Sequence, residues 1–421
     1  MKIALVNYRY FISGGPERYL FNIKEILEQN GHEVVPFSVQ HAKNVKSEYE
    51  HYFLSLIGSG NEIYFSDYNK KSIKDSIKGF ARMTYSFEAK RVFKKFLEAT
   101  KPDLVYILYY QSKISCSIVD VAYSMKIPVV QRISDYSLLS PCSMLYRYNE
   151  NTLCEYCLQG SKLNAVKHKC IYNSAVYSLI KVFAIKIQNI VNVKKKIEAF
   201  VFPSKFTLDK FIDGGFPKEK LHHIPTLFNT NTIDKNIPIS YENFALYVGR
   251  VDPDKGIKTM IDAFIDTDYN LKIIGFSSKN YIVDIEEYLN GKKHNIELLG
   301  KMDFEQIQEY LAKCLFTVIP SEWYDNLPNT LLESFAFSKC VVTTNIGSLS
   351  ENVINNETGL LFDYKNSKSL FEKIDRLFKN QNIAIQLGQK ANLSILDKFN
   401  DTNHYKTLIT LFEKTLNTNN K

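Results

Sequence analysis

The sequence has no run of 18 uncharged apolar residues, and its first predicted strand is not followed by G-x-G-x-x-G. The longest apolar candidate, residues 175–193, is interrupted by Lys181 and Lys186, so we expect no transmembrane helix. The N-terminal apolar run reaches polar residues too early for a signal peptide, and we therefore expect a cytoplasmic protein. Seven cysteines, an odd number without an export signal, favour reduced thiols or a metal site over a disulfide framework.

The bulk composition is that of a globular protein. A chain of 421 residues with 45% hydrophobic and 23% charged residues is long enough for two domains. The net charge of +8 is spread along the sequence, which suits a phosphorylated substrate or an anionic membrane surface. This balance does not by itself indicate nucleic acid, and we expect no nucleic-acid partner.

Short apolar runs alternate with helical stretches in both halves of the chain. The first half has predicted strands at 2–6, 32–39, 103–108, 127–134 and 199–203. After a polar stretch at 229–241, further strands are predicted at 244–249, 270–275, 296–299, 316–320 and 340–343. This alternation is typical of βαβ units, so we predict an α/β fold with parallel-sheet domains at 1–235 and 236–400. A final amphipathic helix, within 401–421, is predicted to pack back on the N-terminal domain.

Two cations follow the first strand of the second half. Arg250 and Lys255 lie between Gly249 and Gly256, in a turn that leads into a helix. Arginine offers a fixed fork of donors to phosphate oxygens, and lysine offers a point charge. The same turn could be a basic surface turn with two solvated cations, and the spacing alone leaves both interpretations open.

Two carboxylates flank the start of a predicted helix that includes Pro328. Asp325 lies in the preceding loop, and Glu333 lies within the helix. Helical side chains lean toward the N-terminus, so Glu333 is expected near the free amides of Asn329 and Thr330, which suit an anion. Glu333 could bind paired ribose hydroxyls and Asp325 a sugar. Alternatively, Asp325 is a simple helix cap and Glu333 a surface acid favoured by the helix dipole.

The motifs of residues 244–365 resemble those of the family 4 retaining glycosyltransferases, the glycosyl transferases group 1. They are Gly249-Arg250-x4-Lys255-Gly256, Pro320-Ser321, the acid-x7-acid pair ending at Glu333, Gly347 with Glu351, and Gly359-Leu360-Leu361-Phe362. The first half matches more loosely, through Gly14-Gly15 and Phe202-Pro203-Ser204. The resemblance implies the GT-B fold, in which two Rossmann-like domains face each other across a cleft. It also implies a retaining hexosyltransferase that uses a nucleoside-diphosphate sugar.

The resemblance further implies roles for individual residues. Arg250 and Lys255 would bind the diphosphate and stabilise its leaving charge, Glu333 would hold the ribose, and Asp325 would hold sugar hydroxyls. The donor would also contact Gly14, Gly15, Gly249, Asn326, Leu327, Pro328, Asn329 and Thr330. Fixed positive charge stabilises the leaving group, so no cofactor is expected in catalysis. The acceptor would be a glycan or a lipid-linked glycan of cell-surface polysaccharide or lipopolysaccharide biosynthesis.

Two positions depart from the family pattern. The family usually has Glu where this chain has Asp325, so the sugar must sit closer or differ in its hydroxyls. Many members have His near the end of a first-half strand, where this chain has Ser134. Asp135 is the nearest polar substitute for an acceptor-side role, and it could equally cap the next helix.

A cysteine-rich insertion is predicted at about 140–172. Its cysteines read C-x11-C-x2-C-x12-C, at Cys142, Cys154, Cys157 and Cys170. Four thiolates could complete a structural tetrahedral zinc site, with His168 as a substitute ligand. The alternative is four free thiols, and the remaining cysteines, Cys116, Cys314 and Cys340, are predicted in the core.

Two segments, 78–101 and 176–196, mix apolar and basic residues at helical spacing. Each could lie on an anionic leaflet, which would make the protein peripheral on the inner face of the cell membrane. Each could also be an ordinary core-facing helix with a solvated basic back.

Other functions remain open on the sequence. A nucleotide-sugar epimerase of the same fold would need no acceptor. A non-catalytic sugar-binding protein need not keep both Arg250 and Lys255. A dehydrogenase is disfavoured, because the second strand ends in Phe37-Ser38-Val39 rather than in an acid.

Overall fold

The computed structural model describes residues 1–58, 73–277 and 281–419. It divides into two compact units. The first comprises Met1–Leu145, Cys154–Leu227 and Asp401–Lys421, and the second comprises Tyr146–Leu153 and Phe228–Asn400. The division after Leu227 precedes the boundary predicted at residue 235.

Every predicted strand is present, with ends that shift by a few residues. In chain order the strands are β1 (Lys2–Val6), β2 (Glu33–Phe37), β3 (Leu104–Ile107), β4 (Val129–Arg132), β5 (Tyr146–Arg147), β6 (Thr152–Leu153), β7 (Ala199–Phe202), β8 (Leu221–His223), β9 (Phe244–Val248), β10 (Asn270–Ile274), β11 (Asn295–Gly300), β12 (Phe316–Ile319), β13 (Cys340–Thr344) and β14 (Gly359–Phe362). The predictions did not include the short strands β5, β6 and β8, or β14. Strands of two or three residues are too short to show a periodic pattern.

The helices cover the stretches between these strands. In chain order they are α1 (Gly15–Gln29), α2 (Ile73–Met83), α3 (Phe87–Thr100), α4 (Ser117–Ser124), α5 (Tyr156–Gln159), α6 (Asn164–Lys167), α7 (Ala175–Ile190), α8 (Val193–Lys196), α9 (Lys205–Asp213), α10 (Ile257–Phe264), α11 (Tyr281–Leu289), α12 (Phe304–Lys313), α13 (Asn329–Ala336), α14 (Gly347–Asn352), α15 (Ser367–Lys379), α16 (Gln381–Lys398) and α17 (Asp401–Asn419).

The first unit is built on a six-stranded parallel sheet of order β2-β1-β3-β4-β7-β8. Its central strands are almost wholly apolar and buried, as expected for a parallel sheet covered on both faces. The order reverses between β1 and β3, so the loops after these strands meet at the carboxyl edge. Such a reversal is where open α/β sheets bind ligands.

The last helix, α17, belongs to the first unit. Leu408, Leu411 and Phe412 are buried in its core. His404 accepts a hydrogen bond from the Tyr19 hydroxyl through Nε2 at 3.0 Å, and its Nδ1–H donates to the Pro225 carbonyl at 2.7 Å. The helix is therefore fixed by apolar burial and by one buried imidazole.

The second unit has a six-stranded parallel sheet of order β11-β10-β9-β12-β13-β14. The order reverses between β9 and β12, which places the loops after these strands side by side. With the first sheet, this confirms the predicted α/β class of parallel-sheet domains.

The antiparallel hairpin of β5 and β6 groups with the second unit, although its chain neighbours belong to the first. The Leu153 amide donates to the Tyr364 hydroxyl at 3.2 Å, and Lys365 Nζ donates to the Asn151 carbonyl. The sequence predicts one insertion at about 140–172 within the N-terminal domain. In the structure, Tyr146–Leu153 is separated from that insertion by its contacts with the segment after β14.

Candidate active site

The candidate site is formed by the two loops that follow β9 and β12 in the second unit. Gly256 ends the first loop with φ of 67°, in the left-handed region. A Cβ at this position would lie 2.0 Å from the Pro320 carbonyl oxygen in the second loop. Glycine is therefore required twice, for the backbone turn and for the close approach of the two loops.

Arg250 is held by two carboxylates of its own loop. Its Nη1 pairs with Asp252, and its Nη2 lies 2.7 Å from Asp254 Oδ2. Burial alone would lower the pKa of Arg250, but Asp254, Tyr148 and Asp252 outweigh it, and the pKa is raised. The guanidinium stays charged while its side chain keeps 32% exposure, so a ligand can still reach it.

Lys255 pairs directly with Asp325. Lys255 Nζ lies 2.6 Å from Asp325 Oδ2, and Ser321 Oγ donates to the same oxygen at 2.9 Å. The ammonium also lies 5.1 Å from the centre of the Trp323 ring. The interpretation of the turn as two solvated cations is wrong, because Arg250 and Lys255 are both paired with buried or nearly buried acids.

The start of α13 ties the two loops together. Thr330 Oγ1 donates to the carbonyl of Val248, the last residue of β9, at 3.1 Å. Pro328 precedes this eight-residue helix rather than lying in its first turn, and no side chain caps it. Asp325 is therefore not a helix cap. The amides of Asn329 and Thr330 lie at the helix N-terminus, where the dipole favours an anion.

Glu333 is buried rather than a surface acid. It lies one turn into α13 and is only 5% exposed. Gly249 lies in the first loop, and Asn326 and Leu327 lie in the second. Of the predicted cations and acids, Lys255 and Asp325 are in direct contact, and Arg250 and Glu333 lie on the first loop and on α13 of the same unit.

A further acid, Glu322, was missed by the sequence analysis. Its Oε1 accepts a hydrogen bond from Thr259 Oγ1 at 2.6 Å, and its Oε2 lies 3.5 Å from Lys365 Nζ. Burial raises the pKa of Glu322, although Thr259 and Lys365 oppose this. Glu322 directly follows the Pro320-Ser321 motif, so its position in the sequence could have identified it as a residue of this loop.

Two tyrosines of the hairpin belong to the same surroundings. Tyr148 is close enough to Arg250 to help raise the pKa of that guanidinium. Burial raises the pKa of Tyr146, and the neighbouring carboxylates of Glu322 and Asp254 raise it further. No sequence signal joins the hairpin to residues a hundred positions away, because the contact is tertiary.

The remaining predicted residues lie in the first unit. Gly14 and Gly15 are at the start of α1, after β1. Asp135 follows β4, and its carboxylate accepts hydrogen bonds from the Ser137 amide at 2.9 Å and the Tyr109 hydroxyl at 3.0 Å. Burial raises the pKa of Asp135. The bond to Ser137 closes an Asx turn, so Asp135 stabilises a loop rather than a helix start. Its acceptor-side role stays a prediction, as does the donor role of the glycines.

The four cysteines of the insertion do not form a ligand set. Across residues 1–58, 73–277 and 281–419, no three His, Cys, Asp or Glu side chains are arranged to hold a metal ion. Cys154 is close enough to Cys157 to raise the pKa of that thiol, whereas Cys142 acts on Lys181. The four cysteines are reduced thiols in the structure, and the zinc site stays a prediction. Cys116, Cys314 and Cys340 are buried, as predicted.

The two predicted membrane-facing segments differ in the structure. In α3, Phe93 and Phe96 are fully buried, so this part of 78–101 is an ordinary core helix. In α2 and α7, by contrast, many apolar side chains are exposed. Among the described helices, none is both long enough and apolar enough to cross a bilayer.

Known proteins are similar to part of this chain in sequence and to the whole chain in fold. Residues 229–393 match the family model described as Glycosyl transferases group 1. An uncharacterized glycosyltransferase of Methanocaldococcus jannaschii is 39% identical over 151 residues, which are 35% of this chain and 42% of that protein. A capsular polysaccharide biosynthesis glycosyltransferase of Staphylococcus aureus is 24% identical over 257 residues, 58% of this chain and 66% of that protein. The chain thus matches less than two thirds of either relative.

Among solved structures, sucrose-phosphate synthase from Thermosynechococcus elongatus superposes with a TM-score of 0.69 at 17% identity. The superposition covers 99% of both chains. At this identity the likeness shows the fold alone, and it confirms the predicted GT-B fold.

Proposed function

We propose, on the premise that residues 229–393 form a group 1 glycosyltransferase domain, that this protein transfers a hexose from a nucleoside-diphosphate sugar with retention. The acceptor is a glycan or a lipid-linked glycan of cell-surface polysaccharide biosynthesis. The observation that carries the proposal is the Lys255–Asp325 pair at the point where the order of the second sheet reverses. A phosphate-binding cation and a hydroxyl-binding acid occupy one ligand position of an α/β fold.

Arg250 and Lys255 would bind the donor diphosphate. Arginine has several N–H donors, and the bonds to Asp252 and Asp254 leave others for phosphate oxygens. The two acids fix the guanidinium before the donor arrives, so little reorganisation is needed at the moment of reaction. This is electrostatic preorganisation, in which each fixed contact typically contributes about 10²–10³ in rate.

Asp325 and Glu333 would hold the sugar and the ribose. Asp325 orients Lys255 and can accept a hydroxyl through its second oxygen, since Oδ2 already serves Lys255 and Ser321. Glu333 is buried one turn into α13, close in sequence to the free amides that suit the phosphates. The diphosphate and the sugar would then share one small group of side chains.

Transfer would proceed on one face of the sugar. The bond between the anomeric carbon and the phosphate oxygen breaks, and its electron pair stays with the diphosphate beside Arg250 and Lys255. The acceptor oxygen bonds to the same carbon, and its proton passes to the departing phosphate. Neither Asp325 nor Glu333 is assigned as a nucleophile.

The acceptor side is supported by two observations. One curated relative is named for capsular polysaccharide biosynthesis. In addition, α2 and α7 expose apolar side chains next to basic ones, which suits a peripheral position on the inner face of an anionic membrane. We therefore propose an acceptor that is presented at a membrane surface.

The test is product analysis with purified protein and a panel of nucleotide sugars. Thermal stabilisation identifies the donor, because a ligand that binds only the folded state raises the melting temperature. The expected result is acceptor-dependent release of nucleoside diphosphate and, by NMR, a new glycosidic bond with the donor's anomeric configuration. An epimerised nucleotide sugar formed without acceptor would instead identify the epimerase. Donor binding with no turnover under any acceptor would identify a sugar-binding protein.

A further inference from the structure

A small polar cavity lies in the first unit, between α7, the end of α2 and the loops after β3 and β4. Its volume is about 30 Å³, and its lining includes Arg82, Tyr109, Gln111, Lys181 and Gln188. A water molecule needs about 10–15 Å³ of such volume, so the cavity has room for a small polar group of about two or three waters' size. The loops after β3 and β4 place it at the carboxyl edge of the sheet.

Lys181 turns its charge inward into this cavity. Its Nζ donates to Ser112 Oγ at 2.5 Å, and no carboxylate of the described chain lies within ion-pair distance of it. Burial lowers the pKa of Lys181, although Asp135 opposes this from further away. A half-buried ammonium with no carboxylate at ion-pair distance is costly, and a bound anion would reduce that cost.

Arg82 adds positive charge to the same cavity. It is almost fully buried, and its Nη2 lies 3.3 Å from Glu88 Oε2. Lys78 lies 3.6 Å from the other oxygen of that carboxylate. Among the described residues, the lining of the cavity thus includes two basic side chains, Arg82 and Lys181, and no carboxylate.

An apolar surface lies beside the cavity on the same two helices. Its side chains are between 42% and 82% exposed: Ile73, Ile77 and Phe80 on α2, and Val176, Leu179, Phe183 and Ile190 on α7. The rings of Phe80 and Phe183 stack with centroids 6.4 Å apart, which joins the two helices into one surface. Exposed apolar surface of this extent indicates an interaction site.

We propose that α2 and α7 bind the phosphate of a lipid, with the hydrocarbon on this apolar surface and the phosphate at Lys181 and Arg82. The occupant is a phosphate-bearing isoprenoid or acyl chain, because one helix presents the cation inward and the apolar side chains outward. Tyr109 lines the cavity and donates to Asp135, so the head group would lie beside the acceptor-side candidate. The inference rests on the proposed function, since the lipid would be the anchor of the acceptor.

The test compares three ligands by calorimetry on the full chain: farnesyl phosphate, farnesol and inorganic phosphate. Farnesyl phosphate is expected to bind at least about tenfold more tightly than either of the others. Equal binding of farnesol, or of inorganic phosphate, would overturn the proposal.

Variants of α7 separate the two parts of the ligand. Lys181→Met should weaken farnesyl phosphate binding by about ten- to a hundredfold, because a hydrogen bond to a charged group is lost. Lys181→Arg should restore most of it. The matched control is Lys186→Met, an exposed lysine of the same helix, with a change of less than about twofold. Unchanged affinity in a folded Lys181→Met variant would contradict the proposal.

A second variant covers the case in which Lys181→Met does not fold. Phe183→Ser keeps the cation and removes a ring of the apolar surface, so farnesyl phosphate binding should fall while inorganic phosphate binding does not change. Donor-induced thermal stabilisation, measured on the same wild-type preparation, distinguishes a failure of this inference from a failure of the proposed function. Donor binding without lipid binding rejects this inference alone, whereas lipid binding without donor binding rejects the proposed function.

Discussion

Lys255 Nζ lies 2.6 Å from Asp325 Oδ2, so the cation after β9 and the acid after β12 are direct partners across seventy residues of sequence. Ser321 and the close approach of Gly256 to Pro320 hold the same junction. The proposed phosphate end and the proposed sugar end of the candidate site are therefore coupled. A substitution of either side chain should therefore change the charge environment of the other.

Asp325→Asn should separate product binding from turnover. The amide keeps the shape but leaves Lys255 without its anionic partner, so free nucleoside diphosphate should bind as tightly as before or several-fold more tightly. Turnover of the sugar donor should fall by about a hundredfold, since a buried charged contact is lost. Calorimetry and steady-state kinetics measure the two effects.

Asp325→Glu is the matched control, because it keeps the charge. Its turnover should stay within about tenfold of wild type. A parallel loss of nucleoside diphosphate binding in Asp325→Asn would contradict the coupling described here.

Gly256→Ala should destabilise the second unit through the contact between its loops. The new Cβ would lie 2.0 Å from the Pro320 carbonyl oxygen at a φ of 67°. Gly291→Ala measures the loss of stability that comes from the positive φ alone, because Gly291 has a φ of 73° and nothing lies within 4 Å of the added Cβ. We expect about 1 kcal/mol for Gly291→Ala and at least about 2 kcal/mol more for Gly256→Ala, by urea unfolding. Equal costs would show that the loops can separate freely.

The first unit should lose stability as the pH falls, because of His404. Burial lowers the pKa of His404 to about 4, and the charge of Arg132 lowers it further, although the hydrogen bond from Nδ1–H to the Pro225 carbonyl opposes this shift. The unfolded chain binds a proton near pH 6.5, whereas the folded chain does not until about pH 4. The contribution of this residue is therefore complete above about pH 6.5 and is lost between there and pH 4.

Between pH 7.5 and 5 the loss should amount to about 2 kcal/mol. Hydrogen exchange of the α17 amides over this range measures it. His404→Gln should remove most of this slope, while His51→Gln, an exposed histidine, should leave it unchanged. An α17 whose protection does not respond to pH would contradict the assignment.

Tyr364→Phe should loosen the hairpin of β5 and β6. The variant loses the hydrogen bond from the Leu153 amide, which is worth about 1 kcal/mol, and the exchange of that amide should rise about fivefold. Tyr269→Phe removes a hydroxyl that bonds Asp375 in the same unit and should leave the hairpin unchanged. Equal exchange in both variants would show that other contacts hold the hairpin.

Local patterns predicted much of the fold and the site. Apolar runs such as β1 and β9 are buried on both faces, so their strand character is visible in the sequence itself. The loops after β9 and β12 were located because Arg250, Lys255, Asp325 and Glu333 follow strands at spacings that a parallel sheet brings together. These inferences need only the chain direction and the period of each element.

The features that could not be predicted from the sequence depend on tertiary contacts. The ion pair of Lys255 with Asp325 depends on the neighbouring positions of β9 and β12 in the sheet. The hairpin pairs with Tyr364 and Lys365 from the far end of the chain. The segments around α3 and α7 are both mixtures of apolar and basic residues, but α3 buries Phe93 and Phe96 in the core, whereas Phe183 of α7 is exposed. In each case, the information lies in which elements become neighbours.

The most direct test of the central claim is the turnover of Lys255→Met with the identified donor and acceptor, beside Lys258→Met. Lys258 follows three residues later and pairs with Asp262 at the surface, so it controls for the loss of a lysine. We expect Lys255→Met to fold and to turn over about a hundredfold or more slowly, with Lys258→Met within about twofold of wild type. Normal turnover in a folded Lys255→Met protein would contradict the account.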